Sequence, residues 1–247
     1  MPYTAVIFEK KGHIAAITLN RPEVGNAVNS RMAQEIVEVC GQINGDDDIY
    51  TVIITGAGDV FCTGTESDVN VTVSGPAGAI AGIDRPVIAA INGDALGQGL
   101  EIALACDIRI ASNKASFSLP QVTHGCLPVD GGTQRLPRIV GRGKALELLL
   151  TADTLTAEEA LEIGLLSKIV PQEALAGEAQ SLADTIAAKG PLALRYLKEA
   201  VIKGMDMTLA QGLRLEADLY FLLHTTHDRT EGIEAFREKR PPHFKGQ

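Results

Sequence analysis

One carboxylate, Glu101, stands in Gly97-Gln98-Gly99-Leu100-Glu101-Ile102-Ala103-Leu104-Ala105-Cys106, a glycine-bearing entry followed by an apolar run. A charge in such surroundings is expensive unless it is neutralised, paired or given chemistry. Glu101 is therefore either a buried partner of Arg109 or Arg135, or an acid-base group. The turn that leads into it, Asn92-Gly93-Asp94-Ala95-Leu96-Gly97-Gln98-Gly99, can present backbone N–H groups to an oxygen at a helix N-terminus. A second glycine turn, Thr55-Gly56-Ala57-Gly58-Asp59-Val60-Phe61-Cys62-Thr63-Gly64-Thr65, has the same capacity. No Gly-Lys-Ser/Thr follows either turn, which excludes a Walker loop. Gly97-x-Gly99 lacks the third glycine of a dinucleotide fingerprint, and Glu101 would intrude on a pyrophosphate.

The elements that must hold these turns follow from periodicity. Ala5–Phe8, Ile14–Leu19 and Val52–Gly56 read as strands bounded by turn residues. Met32, Ile36, Val39 and Ile43 lie at helical spacing, which predicts a helix over Ser30–Ile43 with Ser30 as its cap. Val87–Ile91 reads as a buried strand, Gly97–Cys106 as a helix and Asp107–Ala111 as a strand. Short continuous apolar strands separated by helices predict a sheet covered on both faces. Beyond Gly143 the pattern is helical: Lys144–Leu150, Thr156–Ile163 with Thr156 and Glu159 as a capping box, Ala174–Ala188, Pro191–Lys203 and Thr208–Leu223. The change of pattern near residue 170 suggests a boundary between an α/β core and a helical region. Ser67 to Asp84, rich in small residues and poorly periodic, reads as a mobile loop.

The 247 residues are 45% hydrophobic and 21% charged with 25 glycines, an ordinary globular composition. A net charge of -9 opposes nucleic acid and anionic membrane as general partners. Cys40, Cys62, Cys106 and Cys126 are widely spaced with no CxxC pair, which fits reduced thiols in a cytoplasm. No metal site is expected, because the five histidines show no HExxH or similar spacing. The N-terminus lacks the regions of a signal peptide, and no apolar stretch is long enough for a membrane span.

Several motifs follow in order: Leu19-Asn20-Arg21-Pro22 with Asn26-Ala27, the Thr55 to Thr65 turn, Arg85 through Gly93, Ala95 through Asp107, Gly131-Gly132-Thr133-Gln134-Arg135-Leu136-Pro137-Arg138, and Glu238-Lys239-Arg240-Pro241-Pro242. Together they resemble the crotonase, or enoyl-CoA hydratase/isomerase, superfamily. The resemblance implies an α/β fold, a spiral of ββα units over residues 1–190, with a helical C-terminal trimerisation region over 191–247. It implies a homotrimer or homohexamer, an acyl-CoA thioester as substrate, and no cofactor beyond the coenzyme A of that substrate. By position, the backbone N–H groups of Thr65 and Gln98 would hold the thioester oxygen. Arg21, Thr63, Gly64, Thr65, Phe236 and Lys239 fall at the family's CoA contacts. Arg21 can equally form a surface salt bridge, and Phe236 and Lys239 can equally be packed and solvated residues of one helix.

The chain departs from the family at one place. Hydratases use two glutamates around one water, and Glu101 matches the first. At the second the chain reads Ser118-Leu119-Pro120-Gln121. Gln121 can orient a water but cannot exchange a proton near neutral pH. Glu101 then acts alone, or Asp130, His124 or Cys126 supplies an acid, or the reaction needs one acid-base group only. Asp130 has a bland alternative as a turn or cap residue, His124 as a turn histidine, and Cys126 as a small buried side chain. The resulting expectation is a hydro-lyase acting on a conjugated enoyl- or dienoyl-CoA. The alternatives are an isomerase, an acyl-CoA hydrolase, a decarboxylase or an idle acyl-CoA-binding homologue. The short loop after Ser67, without bulky aromatics, hints at a compact or cyclic acyl group.

Overall fold

The computed structural model describes residues 3–66 and 75–247. Strands β1 (Val6–Lys11) and β2 (Ile14–Leu19) form an antiparallel hairpin turned at Gly12, whose φ of +57° suits glycine. Helix α1 (Ser30–Gly45) then crosses to β3 (Thr51–Gly56), which runs parallel to β2. Helix α2 (Pro76–Ala81) precedes β4 (Val87–Ile91). The short β5 (Ala95–Leu96) leads into α3 (Gln98–Ala105), and β6 (Ile108–Ser112) and β7 (Ser116–Ser118) follow. Helices α4 (Gly132–Val140) and α5 (Arg142–Thr151) come next, followed by β8 (Leu155–Thr156), α6 (Ala157–Glu162) and β9 (Lys168–Val170). Four helices close the chain: α7 (Leu175–Ala187), α8 (Pro191–Gly204), α9 (Leu209–Leu223) and α10 (His227–Glu238).

Two sheets result, ordered β1-β2-β3-β4-β6-β9 and β5-β7-β8. The larger is parallel from β2 onward, and its strands are apolar on both faces because both are covered. Ile17, Val52, Ile54, Val87, Ala89 and Ile91 share a cluster with α1, α2 and α3. The alternate positions Ile14, Ile53, Ile88, Ala90 and Ile110 pack against Leu175, Ala179 and Ala183 of α7. The period of two along each strand divides the residues between these layers.

Several expectations shift at this level. The cap of α1 is Asn29, whose side chain accepts from Met32 N, and not Ser30. Of the stretch read as a loop, residues 67–74 lie outside the described residues, but Pro76–Ala81 is helical, with Pro76 in its first turn. The change of pattern near residue 170 does not mark the edge of the core, since β9 joins the sheet and α7 packs on it. Helix α8 is also tied to the core: Lys198, almost fully buried, donates from Nζ to Asp107 Oδ2 at 2.7 Å and to Arg85 O at 2.9 Å. The capping box of Thr156 and Glu159 is present.

The N-terminal edge hangs on one buried carboxylate. Glu35 of α1 accepts from the backbone N–H groups of Thr4, Ala5 and Val6 and from Arg31 Nε. Burial alone would raise its pKa, but Arg31 and the three N–H groups outweigh this and hold it below the ordinary 4.5. A depressed folded-state pKa stabilises the fold above the unfolded-state value and ceases to do so as pH falls through the folded-state value. Glu35→Gln should therefore unfold more easily than wild type at pH 7 by about 1–3 kcal/mol, because the amide nitrogen faces N–H donors. Chemical denaturation should show that gap narrowing as the pH drops below 4.5; a gap independent of pH would contradict the assignment.

Candidate active site

The two glycine turns meet edge to edge. Cys62 N donates to Asp94 O and Leu96 N donates to Cys62 O, each at 2.9 Å, pairing the end of one turn with β5. This approach requires glycine at 99, where a Cβ would overlap the Cys62 carbonyl. Gly64 and Gly97 have φ of +123° and +53°, and a Cβ on Gly97 would lie 3.7 Å from the Gly64 Cα. The turns are clamped from behind by two buried amides. Asn26 Nδ2 donates to Ala57 O and Val60 O, and Asn92 Nδ2 to Gly58 O and Val60 O, while Asn92 Oδ1 accepts from Gly56 N. Among the described residues neither Thr65 N nor Gln98 N has an acceptor. Two backbone donors are thus left at the junction, Gln98 N at the start of α3.

Glu101, 2% exposed, sits one turn into α3. The alternative reading, a pairing with Arg109 or Arg135, is not what holds it. Arg109 donates instead to the carbonyls of Leu165 and Cys106, and Arg135 Nη1 to Asp130 O. Glu101 Oε1 accepts from Asp130 N and Gly132 N, both at 2.8 Å. Gly132 permits this approach: a Cβ there would stand 3.1 Å from Oε1 and 2.7 Å from Pro128 Cβ. Oε2 takes no hydrogen bond among the described residues. Burial raises the Glu101 pKa, the two backbone donors lower it, Asp130 raises it and Arg135 lowers it, with a net rise. The carboxyl is thus shifted toward the range in which it can both take and return a proton near neutrality.

Gln121 approaches the junction at Gly97. Gly97 N donates to Ser118 O, extending the β5-β7 pairing, and the 3₁₀ turn Pro120–His124 follows. Gln121 Nε2 lies 3.7 Å from where a Gly97 Cβ would be, and its buried Oε1 has no partner among the described residues. A buried unpaired carbonyl beside a reactive turn is a natural seat for water.

Asp130 is a cap, as its bland reading held, but of a distant helix. Its Oδ2 accepts from Ala77 N at 2.7 Å and Gln98 Nε2 at 3.2 Å, and Oδ1 accepts from Gly78 N at 3.0 Å. Those donors occupy its oxygens, so its carboxyl makes no hydrogen bond with Glu101, although it lies near enough for its charge to raise the Glu101 pKa; the hydrogen bond comes from its backbone N–H. His124 and Cys126 are both exposed, which corrects the reading of Cys126 as buried. Arg21 forms a salt bridge with Glu66 at 2.6 Å, Thr63 Oγ1 donates to Gly25 O, and Gly64 is buried in the turn. Phe236 is 84% exposed on α10 and Lys239 is its left-handed C-cap, so neither is packed into this chain's core. Sequence reading missed the α2 N-terminus as part of the site; Gly75-Pro76 was the available signal.

Among the described residues there is no group of three or more His, Cys, Asp or Glu side chains able to hold a metal ion, and no helix is long and apolar enough to cross a membrane. The family model for enoyl-CoA hydratase/isomerase matches residues 9–247. A crotonyl-CoA hydratase from Syntrophomonas wolfei is 41% identical, over 99% of both chains. An (E)-benzylidenesuccinyl-CoA hydratase from Thauera aromatica is 41% identical, over 98% of this chain and 99% of that one. The crystal structure of enoyl-CoA hydratase from Bacillus anthracis superposes with a TM-score of 0.95 at 38% identity, covering 99% of this chain and 100% of the other. With its sequence matched almost end to end and its fold shared, this chain belongs to the enoyl-CoA hydratase/isomerase family.

Proposed function

We propose that this protein hydrates the conjugated double bond of a short enoyl-CoA. The observation that carries the reading is Glu101, buried with a raised pKa, one helical turn beyond the open N–H of Gln98. The thioester oxygen sits between Thr65 N and Gln98 N, where donors of this kind are worth about 3–4 kcal/mol each to a developing enolate. Water rests on Gln121 Oε1 and Glu101 Oε2. Glu101 takes a proton from it as the oxygen bonds to the β-carbon, and the π electrons move to the thioester oxygen. As the enolate collapses, Glu101 returns the proton to the α-carbon. Water has been added across the double bond and Glu101 is restored. One carboxyl suffices because it is deprotonated in the first half and protonated in the second.

Arg21, Thr63 and Gly64 line the CoA side in this reading. Phe236 and Lys239, exposed on α10, would reach a neighbouring chain's CoA. Residues 1–190 form the spiral core and 191–247 the assembly region of a homotrimer or homohexamer, in keeping with the exposed Leu197, Val201, Met205, Leu209, Leu213 and Phe221. The acidic surface and free cysteines accord with a cytoplasmic enzyme. The two hydratases compared are named for crotonyl-CoA and benzylidenesuccinyl-CoA, so the panel should span short alkyl, dienoyl and aryl enoyl thioesters. Product mass should rise by one water for at least one member. Unchanged mass with a moved double bond, or released CoA, would assign an isomerase or a hydrolase instead.

A further inference from the structure

We propose that Gln98 and Asp130 are positioning residues which, with the Thr65 hydroxyl, lock the two oxyanion turns to each other and to α2. Gln98 and Asp130 are 4% and 5% exposed, and the chain of contacts runs in one direction only. Asp130, with its oxygens taken by Ala77 N and Gly78 N, can only accept, so Gln98 must turn Nε2 toward it. That leaves Gln98 Oε1 facing Thr65, and the Thr65 hydroxyl must donate, which it does at 2.6 Å. The relay joins the side chains of the same two residues whose N–H groups form the oxygen site. It crosses a junction held from behind by backbone bonds and by the Asn92 side chain. Asp130 serves the base as well, since its N–H grips Glu101 Oε1 at 2.8 Å while Arg135 Nη1 grips its carbonyl at 2.6 Å. Asp130 is thus tied both to the oxygen site, through Gln98, and to the base, whose spacing productive geometry tolerates only to about 0.5 Å.

The brace also carries charge. The charged groups facing Glu101 are Asp130 and Arg135, the first raising its pKa and the second lowering it. With Asp130 neutralised and Arg135 kept, the acid limb of kcat/KM moves to lower pH.

The proposal rests on the reading of the turns as a thioester-oxygen site, so its test needs a readout without turnover. The carbonyl stretch of bound butyryl-CoA, a saturated thioester that cannot be hydrated, supplies it by isotope-edited infrared difference. The variants are Thr65→Val and Gln98→Met, which keep both backbone donors and remove the relay's terminal hydroxyl and its central amide, and their double. In wild type the stretch should fall on binding. Each single variant should lose part of that fall and about tenfold in kcat on crotonyl-CoA, with KM within about threefold. The double should be no worse than the poorer single by more than about twofold, since both break one relay. Additive losses, or an unshifted stretch in folded single variants, would overturn the brace. Should Gln98→Met fail to fold, Thr65→Val at the exposed end carries the same infrared comparison. Asp130→Asn should move the acid limb downward; an unmoved limb removes Asp130 from the proposal. If wild type hydrates no thioester yet polarises butyryl-CoA in a way that Thr65→Val weakens, the activity assigned above fails and the brace stands.

Discussion

Glu101→Gln should lower kcat for enoyl-CoA hydration by about 10³-fold while leaving the fold and KM nearly unchanged. The amide oxygen can still accept from Asp130 N and Gly132 N, so the loop between the 3₁₀ turn and α4 keeps its anchor. The oxygen site proposed at Thr65 and Gln98 would be untouched, so ground-state binding should persist. What disappears is a group able to take the proton of water and return it to carbon. Its titration disappears with it. In the proposed mechanism Glu101 works as a carboxylate in the water-activating half, so kcat/KM in wild type should rise with pH through the Glu101 pKa and then level. That limb should lie above the ordinary carboxylate value of 4.5, because burial outweighs the two N–H donors. Stopped assays across pH 4 to 9, roughly the range in which a perturbed carboxyl titrates, would show the limb in wild type and its loss in the variant. Activity within tenfold of wild type would transfer the acid-base role to another residue.

Why Glu101 could be found in the sequence, and its anchorage could not, has a physical cause. The apolar run around it is local, and a charge in such a run announces itself within ten residues. The glycines at 97 and 99 are equally legible, because close approach and positive φ are demands on one residue at a time. The parallel sheet was readable from its continuous apolar strands, and the Thr156 cap from its spacing to Glu159. Contacts across 29 or more positions leave no such trace. Asp130 reaches 53 residues back to Ala77, and nothing in Pro128-Val129-Asp130-Gly131-Gly132 distinguishes a turn aspartate from one that caps α2. The same holds for Glu35, whose three N–H partners lie 31, 30 and 29 residues back along the chain. Helix α4 escaped notice because its periodic stretch is short and holds Pro137, which ordinarily argues against a helix interior. Short strands such as β5, β7 and β8 exist through their partners in the second sheet, with two or three residues each.

Gln121→Glu tests whether the amide limits the rate. A carboxyl at this position would have no N–H donor for its buried oxygen among the described residues, and in the proposed mechanism it would face Glu101 across the water. Burial and a like charge both raise a carboxyl pKa, so the pair would hold a proton between them at neutral pH. One member then takes the proton of water while the other already has one to give to the α-carbon, and a single group need not serve both halves in turn. Hydration of crotonyl-CoA should accelerate by about tenfold or more, within the range general acids supply. The pH profile should change shape as well, from a single rising limb to a bell whose falling side marks loss of the shared proton. Combined with Glu101→Gln, the new carboxyl should recover part of the lost rate, because one acid-base group would again face the water. No gain in the single variant, together with no recovery in the double, would mean that position 121 does not touch the proton's path. The water would then have to be held by Glu101 alone, and Gln121 would belong to the wall of the acyl pocket.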